Sequence, residues 1–269
     1  MLSARGSLRM GAGLVTVLWD RRLAFYASPL PEVMGRYFDP SSPGVDEIRR
    51  ALEGIDAVGC GPGLPDDAGG QLLLETLLSN FPGPVAADAG TFSLFAGYPE
   101  RVGELRAGRP LVLTPHPGEL ARFLGVEIRT VLENPLDMAR EGARKAGGVL
   151  LLKGARTIVV DSGARSYVNV TGDRVMAGAG MGDVLTGMIA TLLGQGVEPF
   201  QAACLSSFLH GAAGERLGQT ASRGRLASEL ADVLPALLSD WETDILQDGA
   251  NEGSLETLWP VAFSGKGAR

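Results

Sequence analysis

A run of small residues leads directly into an apolar helical segment at Ala177-Gly178-Ala179-Gly180-Met181-Gly182-Asp183-Val184-Leu185-Thr186-Gly187. Small side chains let the backbone approach a ligand closely, and the amides at the start of a helix point outward with partial positive charge. These features predict an anion site that suits a phosphate group. Asp183 fits two roles there: a base that accepts a proton from a hydroxyl attacking a phosphoryl group, or a cap of the helix N-terminus. The local sequence supports both roles equally.

Other glycine-rich and polar segments come directly after predicted strands. They are Cys60-Gly61-Pro62-Gly63-Leu64, Asp88-Ala89-Gly90, Thr114-Pro115-His116-Pro117-Gly118-Glu119 and Lys153-Gly154. Open α/β sheets bind ligands beyond the carboxyl ends of their strands. These segments therefore predict one crevice along that edge of the sheet.

Within these segments, single side chains allow more than one interpretation. Lys153 is suited to contact a phosphate, although a solvent-exposed turn residue fits the same position equally well. His116, held between two prolines in a loop, is expected to contact a ligand. His210 lies on an apolar helical segment and is expected to be a buried core or supporting group. Asp88 fits a ligand group and a strand-end cap equally well.

Short apolar runs alternate with segments of helical period, which is typical of an α/β layered fold. The runs have the length and composition of strands buried on both faces of a parallel sheet. The predicted strands are Leu14–Leu18, Asp56–Gly59, Val85–Asp88, Leu111–Thr114, Val149–Leu152 and Thr157–Val160. The predicted helices are Ala68–Ser79, Pro135–Ala146, Val184–Leu193, Pro199 to about Leu217, and Leu226–Leu238.

The end of the chain has a different pattern. Pro235, inside the last predicted helix, is expected to kink or break it. From about Glu242 the helical period gives way to acidic residues and glycines. The sequence therefore predicts one domain at residues 1–240 and a poorly ordered tail at 241–269.

Composition narrows the possible classes of function. Of 269 residues 38 are glycine, about twice the average usage of ~7%, and the 45% hydrophobic fraction supports a sizeable core. The net charge of −7 offers no basic surface for nucleic acid. No apolar run is long enough to span a membrane, and two cysteines make neither a disulfide framework nor a metal cluster, so a cytoplasmic protein is expected. The sequence also lacks the phosphate-binding patterns of P-loop proteins and of dinucleotide-binding Rossmann units.

Several ordered blocks resemble the NAD(P)H-hydrate dehydratases, which are nucleotide-repair enzymes. The blocks are Gly11–Val17, Gly61–Leu64, Thr114–Glu119, Leu152–Gly154 and Gly180–Gly187, with another around Leu209-His210-Gly211. The similarity runs from about Arg5 to about Leu238. It implies a ribokinase-like layered fold, in which helices flank a mostly parallel central sheet.

The same resemblance implies a reaction. The chain would convert hydrated NADH or NADPH (NADHX, NADPHX) back to NAD(P)H. ADP would be the co-substrate, giving AMP and phosphate, and the hydrate hydroxyl would be phosphorylated before it is eliminated. Mg²⁺ is the implied cofactor, and a homo-oligomer, a tetramer by resemblance, is the implied assembly.

Residue roles follow from the resemblance position by position. Asp183 would be the base, and the amides of Gly180, Met181 and Gly182 would form the anion hole for the transferring phosphoryl group. The ADP or AMP would contact Lys153, Gly154, Ala155, Arg156, Thr157 and Gly182. The hydrate would contact Gly61, Gly63, His116 and Asp183. Asn169 and Glu119 would hold a hydrated Mg²⁺.

Some features depart from the family pattern. The chain starts in what resembles the end of the family's first helix, so an N-terminal strand and part of the dinucleotide pocket are expected to be missing. Ala179 replaces a glycine, and its methyl group would crowd a backbone of positive φ. Asp173-Arg174-Val175 replaces a loop that usually contains Asn, Pro and Gly, so a substrate-side loop is expected to differ.

Two other functions stay open. A ribokinase-like kinase of a vitamin-precursor alcohol would share the Gly-x-Gly-Asp pattern, but it gives no reason for the block at 114–119. A non-catalytic nucleotide-binding remnant would bind AMP or ADP without turnover. A lasting phosphorylated alcohol would identify the kinase, and nucleotide binding without turnover would identify the remnant.

Overall fold

The core of the fold is a six-stranded sheet. The structure is a computed structural model and describes residues 1–20, 30–38, 44–163 and 165–247. The strands lie in chain order as β3 (Val58–Cys60), β4 (Val85–Ala87), β5 (Leu111–Leu113), β6 (Val149–Leu152), β7 (Ile158–Val160) and β8 (Ser166–Val168). The pairs from β3 to β6 are parallel, and β7 and β8 are added antiparallel. The predicted α/β class and mostly parallel sheet are confirmed.

Helices cover both faces of this sheet. They are α1 (Leu2–Arg9), α2 (Val45–Ala51), α3 (Ala68–Asn80), α4 (Gly90–Leu94), α5 (Pro99–Arg106), α6 (Pro117–Leu124), α7 (Ile128–Glu133), α8 (Pro135–Ala146), α9 (Met181–Gly194), α10 (Pro199–Gly218) and α11 (Ala227–Gln247), with a 3₁₀ turn at Arg174–Met176. Alternate strand residues enter two apolar clusters because strand side chains alternate between faces. Ala86 and Val112 pack with α9 to α11, whereas Val85 and Leu113 pack with α3 to α8.

The first predicted strand does not lie in the central sheet. The strand at that position, β1 (Thr16–Asp20), pairs in parallel with β2 (Met34–Phe38) in a separate two-stranded sheet. Leu14 is 83% exposed. Burial of this strand on both faces of the main sheet is therefore a wrong prediction. Strand β2 was not predicted, because Gly35 and Arg36 interrupt its apolar pattern.

The last helix is longer than its sequence pattern predicts. Helix α11 continues from Ala227 to Gln247 with Pro235 inside it, so the expected break is absent. Burial of Leu234 before the proline and packing of Leu238 against the core after it support the helix on both sides. The helix crosses the boundary at residue 240; the tail predicted beyond it lies, from residue 248, outside the described residues. The division into domain and tail stays a prediction.

Helices α1 and α9 pack with their backbones in close approach. A Cβ atom added at Gly187 would lie 2.0 Å from the carbonyl oxygen of Ser3, and one added at Gly6 would lie 2.5 Å from that of Val184. The Ser7 hydroxyl donates to the Gly187 carbonyl at 3.0 Å across the same interface. Glycine is required at both positions because any side chain would push the two helices apart. Among the described helices, none is long and apolar enough to cross a membrane.

Replacing Gly187 with alanine should lower the free energy of unfolding by about 3 kcal/mol, the upper range for overpacking a tight core. The measurement is urea denaturation. The control is Gly194→Ala on the same helix, where the new methyl group would meet Ala57 Cβ at an ordinary 3.4 Å. The control should stay within about 1 kcal/mol of the wild-type chain. Equal effects of the two substitutions would contradict the close helix packing.

Candidate active site

The carboxyl ends of the parallel strands meet the N-terminus of α9. Asp88 directly follows β4, Lys153 directly follows β6, and Glu119 lies in the first turn of α6 after β5. Lys153 Nζ is 2.6 Å from Asp88 Oδ1 and 3.6 Å from Glu119 Oε2. A Cβ at Gly182 would lie 3.2 Å from Lys153 Nζ. The structure therefore brings segments from two strand ends, α6 and α9 together at one edge.

The start of α9 has the geometry of an anion site. Gly180 is the N-cap with φ +85°, and no side chain caps the helix within the described part of the chain. The first amides of the helix thus remain available to a ligand. Asp183 lies in the first turn and is not the N-cap residue, so its interpretation as a cap does not hold. Glycine is favoured at position 180 by this positive φ, and a Cβ there would also displace the Leu2 side chain, whose Cδ1 would lie 2.2 Å away.

Ala179 does not strain the turn before α9. The described non-glycine residues with positive φ are Ala89 and Ala107. Ala179 therefore takes a backbone conformation that a methyl group allows, and the crowding expected there is absent. In the Asp173-Arg174-Val175 segment, Asp173 is the N-cap of the 3₁₀ turn Arg174–Met176, and its carboxylate accepts from Val175 N at 2.9 Å.

The electrostatic surroundings of Asp183 favour its protonated form. Burial raises the pKa of Asp183, and the negative charge of Asp88 raises it further. Lys153 is among the positive charges that act in the opposite direction. A carboxylate with a raised pKa is a stronger base once ionised, which suits proton abstraction.

Lys153 is held by protein groups rather than by solvent. Its side chain is 21% exposed, and that of its partner Asp88 is 2% exposed. The Thr186 hydroxyl lies 3.0 Å from Asp88 Oδ2 and 3.0 Å from the Gly182 carbonyl oxygen. Asp88 therefore joins the end of β6 to the first turns of α9. The sequence did not single out Thr186, because its partner is 98 positions away.

The turn after β3 lies against the Asp88 segment. Gly61 has φ +112°, and a Cβ there would lie 1.7 Å from the Asp88 carbonyl oxygen. Asp88 N donates to the Cys60 carbonyl at 3.0 Å, and Gly90 N donates to that of Gly61 at 3.3 Å. Gly63, with φ +74°, faces open space. A ligand can thus approach the backbone at Gly63, whereas Gly61 serves the close packing against Asp88.

His116 is the N-cap of α6. Its Nδ1 accepts from the amides of Gly118 at 3.0 Å and Glu119 at 3.3 Å, and Glu119 Oε2 accepts from His116 N at 2.8 Å. This reciprocal capping places the remaining hydrogen of the neutral ring on Nε2. The imidazole is 55% exposed, and its Nε2 lies 3.5 Å from Glu119 Oε1.

The segment between β6 and β7 holds the other nucleotide candidates. Lys153 N donates to the Pro115 carbonyl at 2.8 Å, and the Thr157 hydroxyl donates to that of Gly154 at 3.3 Å. Gly154, Ala155 and Arg156 are exposed. Asn169 N donates to the Thr157 carbonyl at 2.8 Å, so the segment is anchored at both ends and open in the middle.

The Asn169 side chain makes its hydrogen bonds within the protein. Its amide nitrogen donates to the Thr171 and Ser207 carbonyls, each at 3.1 Å. Its Oδ1 is 3.1 Å from the hydroxyls of both Tyr167 and Thr171. The residues described form no cluster of three or more His, Cys, Asp or Glu side chains that could hold a metal. Glu119 lies beside Lys153 and fits water-mediated contact with Mg²⁺, but the structure records no contact that brings Asn169 to it.

His210, on α10, hydrogen-bonds to the first turn of α9 from the protein interior. It is buried, and its Nε2 lies 2.9 Å from the carbonyl oxygen of Met181. Burial lowers the pKa of His210 to about 4, so the ring is neutral and Nε2 donates to the carbonyl. The expected core location of this histidine is therefore observed.

Burial of a neutral His210 makes stability depend on pH. Its pKa falls from 6.5 in the unfolded chain to about 4 in the folded one, so protonation favours unfolding as the pH drops. The free energy of unfolding should lose about 3 kcal/mol from this group between pH 6.5 and pH 4. Urea denaturation across this range should show a shallower pH dependence in His210→Gln than in the wild-type chain. An unchanged slope in His210→Gln would contradict the assignment.

The layered sheet and the glycine-lined start of α9 define an α/β protein of the ribokinase-like class. A sequence model of the NAD(P)H-hydrate dehydratase family matches residues 1–236. The chain therefore belongs to the NAD(P)H-hydrate dehydratase family.

Individual relatives agree with this assignment. The chain is 39% identical over 252 residues to a bifunctional NAD(P)H-hydrate repair enzyme of Moorella thermoacetica, covering 91% of this chain and 47% of that protein. It is 38% identical over 237 residues to an ADP-dependent (S)-NAD(P)H-hydrate dehydratase of Neisseria meningitidis, covering 86% of this chain and 77% of that protein. The chain thus spans about half the length of the bifunctional relative.

A solved structure has the same fold. The ADP/ATP-dependent NAD(P)H-hydrate dehydratase of Bacillus subtilis, co-crystallised with ATP and Mg²⁺ and soaked with CoA, superimposes with a TM-score of 0.72 at 30% identity. The match covers 89% of this chain and 85% of that chain.

Proposed function

We propose that this chain dehydrates NADHX and NADPHX to NAD(P)H with ADP as the co-substrate. The observation that carries the proposal is the meeting of Lys153, Asp183 and the uncapped start of α9 at one edge of the sheet. That combination supplies a cation, a base and outward amides, which phosphoryl transfer to a hydroxyl requires. Membership of the dehydratase family supports the hydrates as substrates.

In the first step, Asp183 accepts the proton of the hydroxyl on C6 of the hydrate. The hydroxyl oxygen then attacks the terminal phosphorus of ADP, and the bond to AMP breaks. The amides of Gly180, Met181 and Gly182 stabilise the negative charge on the transferring phosphoryl oxygens. The raised pKa of Asp183 makes its ionised form a better proton acceptor.

In the second step, the new phosphate ester leaves C6. Hydroxide is a poor leaving group and phosphate is a good one, so elimination becomes feasible once the phosphoryl group is in place. A proton passes from C5 to the departing phosphate, and the ring double bond is restored. The exposed imidazole of His116, the exposed Gly63 and the neighbouring Gly61 are proposed to contact the hydrate.

The nucleotide is proposed to lie along residues 153–157. Lys153, next to the start of α9, would contact the phosphates, while the exposed Gly154, Ala155 and Arg156 would line the rest of the nucleotide. Thr157 anchors the far end of this segment through Gly154. Gly182 lies where this segment meets the start of α9, since a Cβ added there would be 3.2 Å from Lys153 Nζ.

Mg²⁺ is proposed to be held through water by Glu119. When bound, it would neutralise charge on the phosphates during transfer. Because the described residues offer no cluster of metal-binding side chains, phosphate and water oxygens would supply the direct ligands. A part for Asn169 in the metal shell stays a prediction. We also propose that the protein is a cytoplasmic homo-oligomer, and a tetramer as the resemblance to the family implies.

The direct test is recovery of dihydronicotinamide absorbance from NADPHX, with Mg²⁺ and either ADP or ATP. Recovery should require the nucleotide and release AMP and phosphate when ADP is used. Asp183→Asn should lower kcat at least 1000-fold, because phosphoryl transfer loses its base, an effect of the size expected for a general base. The variant should bind ADP in calorimetry within a few-fold of the wild-type chain.

The outcomes separate the alternatives. A phosphorylated alcohol that accumulates without elimination would identify a small-molecule kinase. Binding of ADP with no recovery from either hydrate would identify a non-catalytic remnant. Full activity in Asp183→Asn would contradict the assignment of the base.

A further inference from the structure

We propose that Asp88 is a positioning residue, which acts by holding the Lys153 ammonium against the first turn of α9. This inference rests on the proposed function and extends it to a residue outside the proposed binding and catalytic set. Asp88 makes no direct contact with the reactants in the proposed arrangement. It acts through Lys153.

Each carboxylate oxygen of Asp88 has its own polar partner. Oδ1 lies 2.6 Å from Lys153 Nζ, and Oδ2 lies 3.0 Å from the Thr186 hydroxyl. Because the Asp88 side chain is only 2% exposed, water does not compete for these contacts. One carboxylate therefore joins the lysine after β6 to the helix that presents the anion hole.

The backbone fixes the position of this carboxylate. Ala89, the next residue, has φ +44° and ψ −108°, a conformation that a residue with a Cβ rarely adopts. Gly61 packs so closely that a Cβ would lie 1.7 Å from the Asp88 carbonyl oxygen. Such a constrained turn is consistent with a requirement on where the Asp88 carboxylate points.

The result is a lysine set in place before the nucleotide arrives. Lysine has a flexible stem, so an unheld ammonium would sample many positions. With Asp88 at 2.6 Å and Glu119 at 3.6 Å, Nζ stays beside Gly182, where the transferring phosphoryl group would lie. Among the described residues Nζ hydrogen-bonds to Asp88, while the contact to Glu119 is longer than a hydrogen bond, so the ammonium keeps hydrogens for a phosphate oxygen.

Asp88→Asn keeps the size of the side chain but removes the charge that holds Lys153. We expect kcat to fall at least tenfold, while the KM for ADP does not rise, because the freed ammonium still attracts the phosphates. General structural damage would instead raise KM as well. Asp161→Asn is the matched control: Asp161 pairs with Arg165 at 2.6 Å, and the β6–β7 register places it toward the opposite edge of the sheet. The control should keep the wild-type kcat.

A double-mutant cycle with Lys153→Met tests whether Asp88 acts through the lysine. In the Lys153→Met background, Asp88→Asn should change kcat less than twofold. An equal loss in both backgrounds would overturn the proposal, as would an unchanged kcat in Asp88→Asn alone.

If Asp88→Asn fails to fold, Thr186→Val serves as the second variant, since it keeps both charges and removes the hydroxyl that orients Asp88. It should lower kcat a few-fold in the wild-type background only, and an equal loss in both would again overturn the proposal.

Acetylation rates give a readout that needs no turnover. The lysines of the chain are Lys145, Lys153 and Lys266, so peptide mass spectrometry can follow each separately. Lys153 should react at least fivefold faster in Asp88→Asn than in the wild-type chain, and Lys145 should serve as the unchanged reference. An unchanged Lys153 rate would overturn the proposal. Absence of turnover in the wild-type chain would contradict the proposed function. The acetylation rates would still show whether Asp88 holds Lys153.

Discussion

The ion pair between Lys153 and Asp88 links the sheet to the helix that forms the anion site. Each residue comes directly after a parallel strand, and the Thr186 hydroxyl connects the pair to α9. A pair this little exposed is costly to break on one side only, because the remaining charge would stay partly buried. The relative positions of cation, base and helix amides are thus set by the same contacts that fold this edge of the molecule.

Helix α9 is also held in place by its contacts with α1 and α10. Gly187 allows α1 to approach its backbone, and His210 donates to the carbonyl of Met181. The helix therefore has little freedom to move along its axis or to tilt. Because an anion hole works only when its amides are already oriented, this packing serves chemistry as well as stability.

The sequence could predict what depends on local pattern. Apolar runs such as Leu111–Leu113 identify strands of the central sheet, and Gly180 and Gly182 identify a helix start with room for close approach to the backbone. It could not predict that β1 would leave the main sheet, because its partner Met34–Phe38 has no apolar run. Nor could it choose a role for Asp88, whose partner is 65 positions away. Such contacts exist only once the strands are aligned.

The central claim is that a phosphate group binds at the start of α9 beside Lys153. Backbone amide NMR shifts, followed while ADP is added to the isotopically labelled chain, test it most directly. We expect the amide signals of Gly180, Met181, Gly182 and Gly154 to move most, with those near the opposite end of the sheet unchanged. Saturable shifts that leave Gly180, Met181 and Gly182 unmoved would place the phosphates elsewhere and contradict binding at the start of α9.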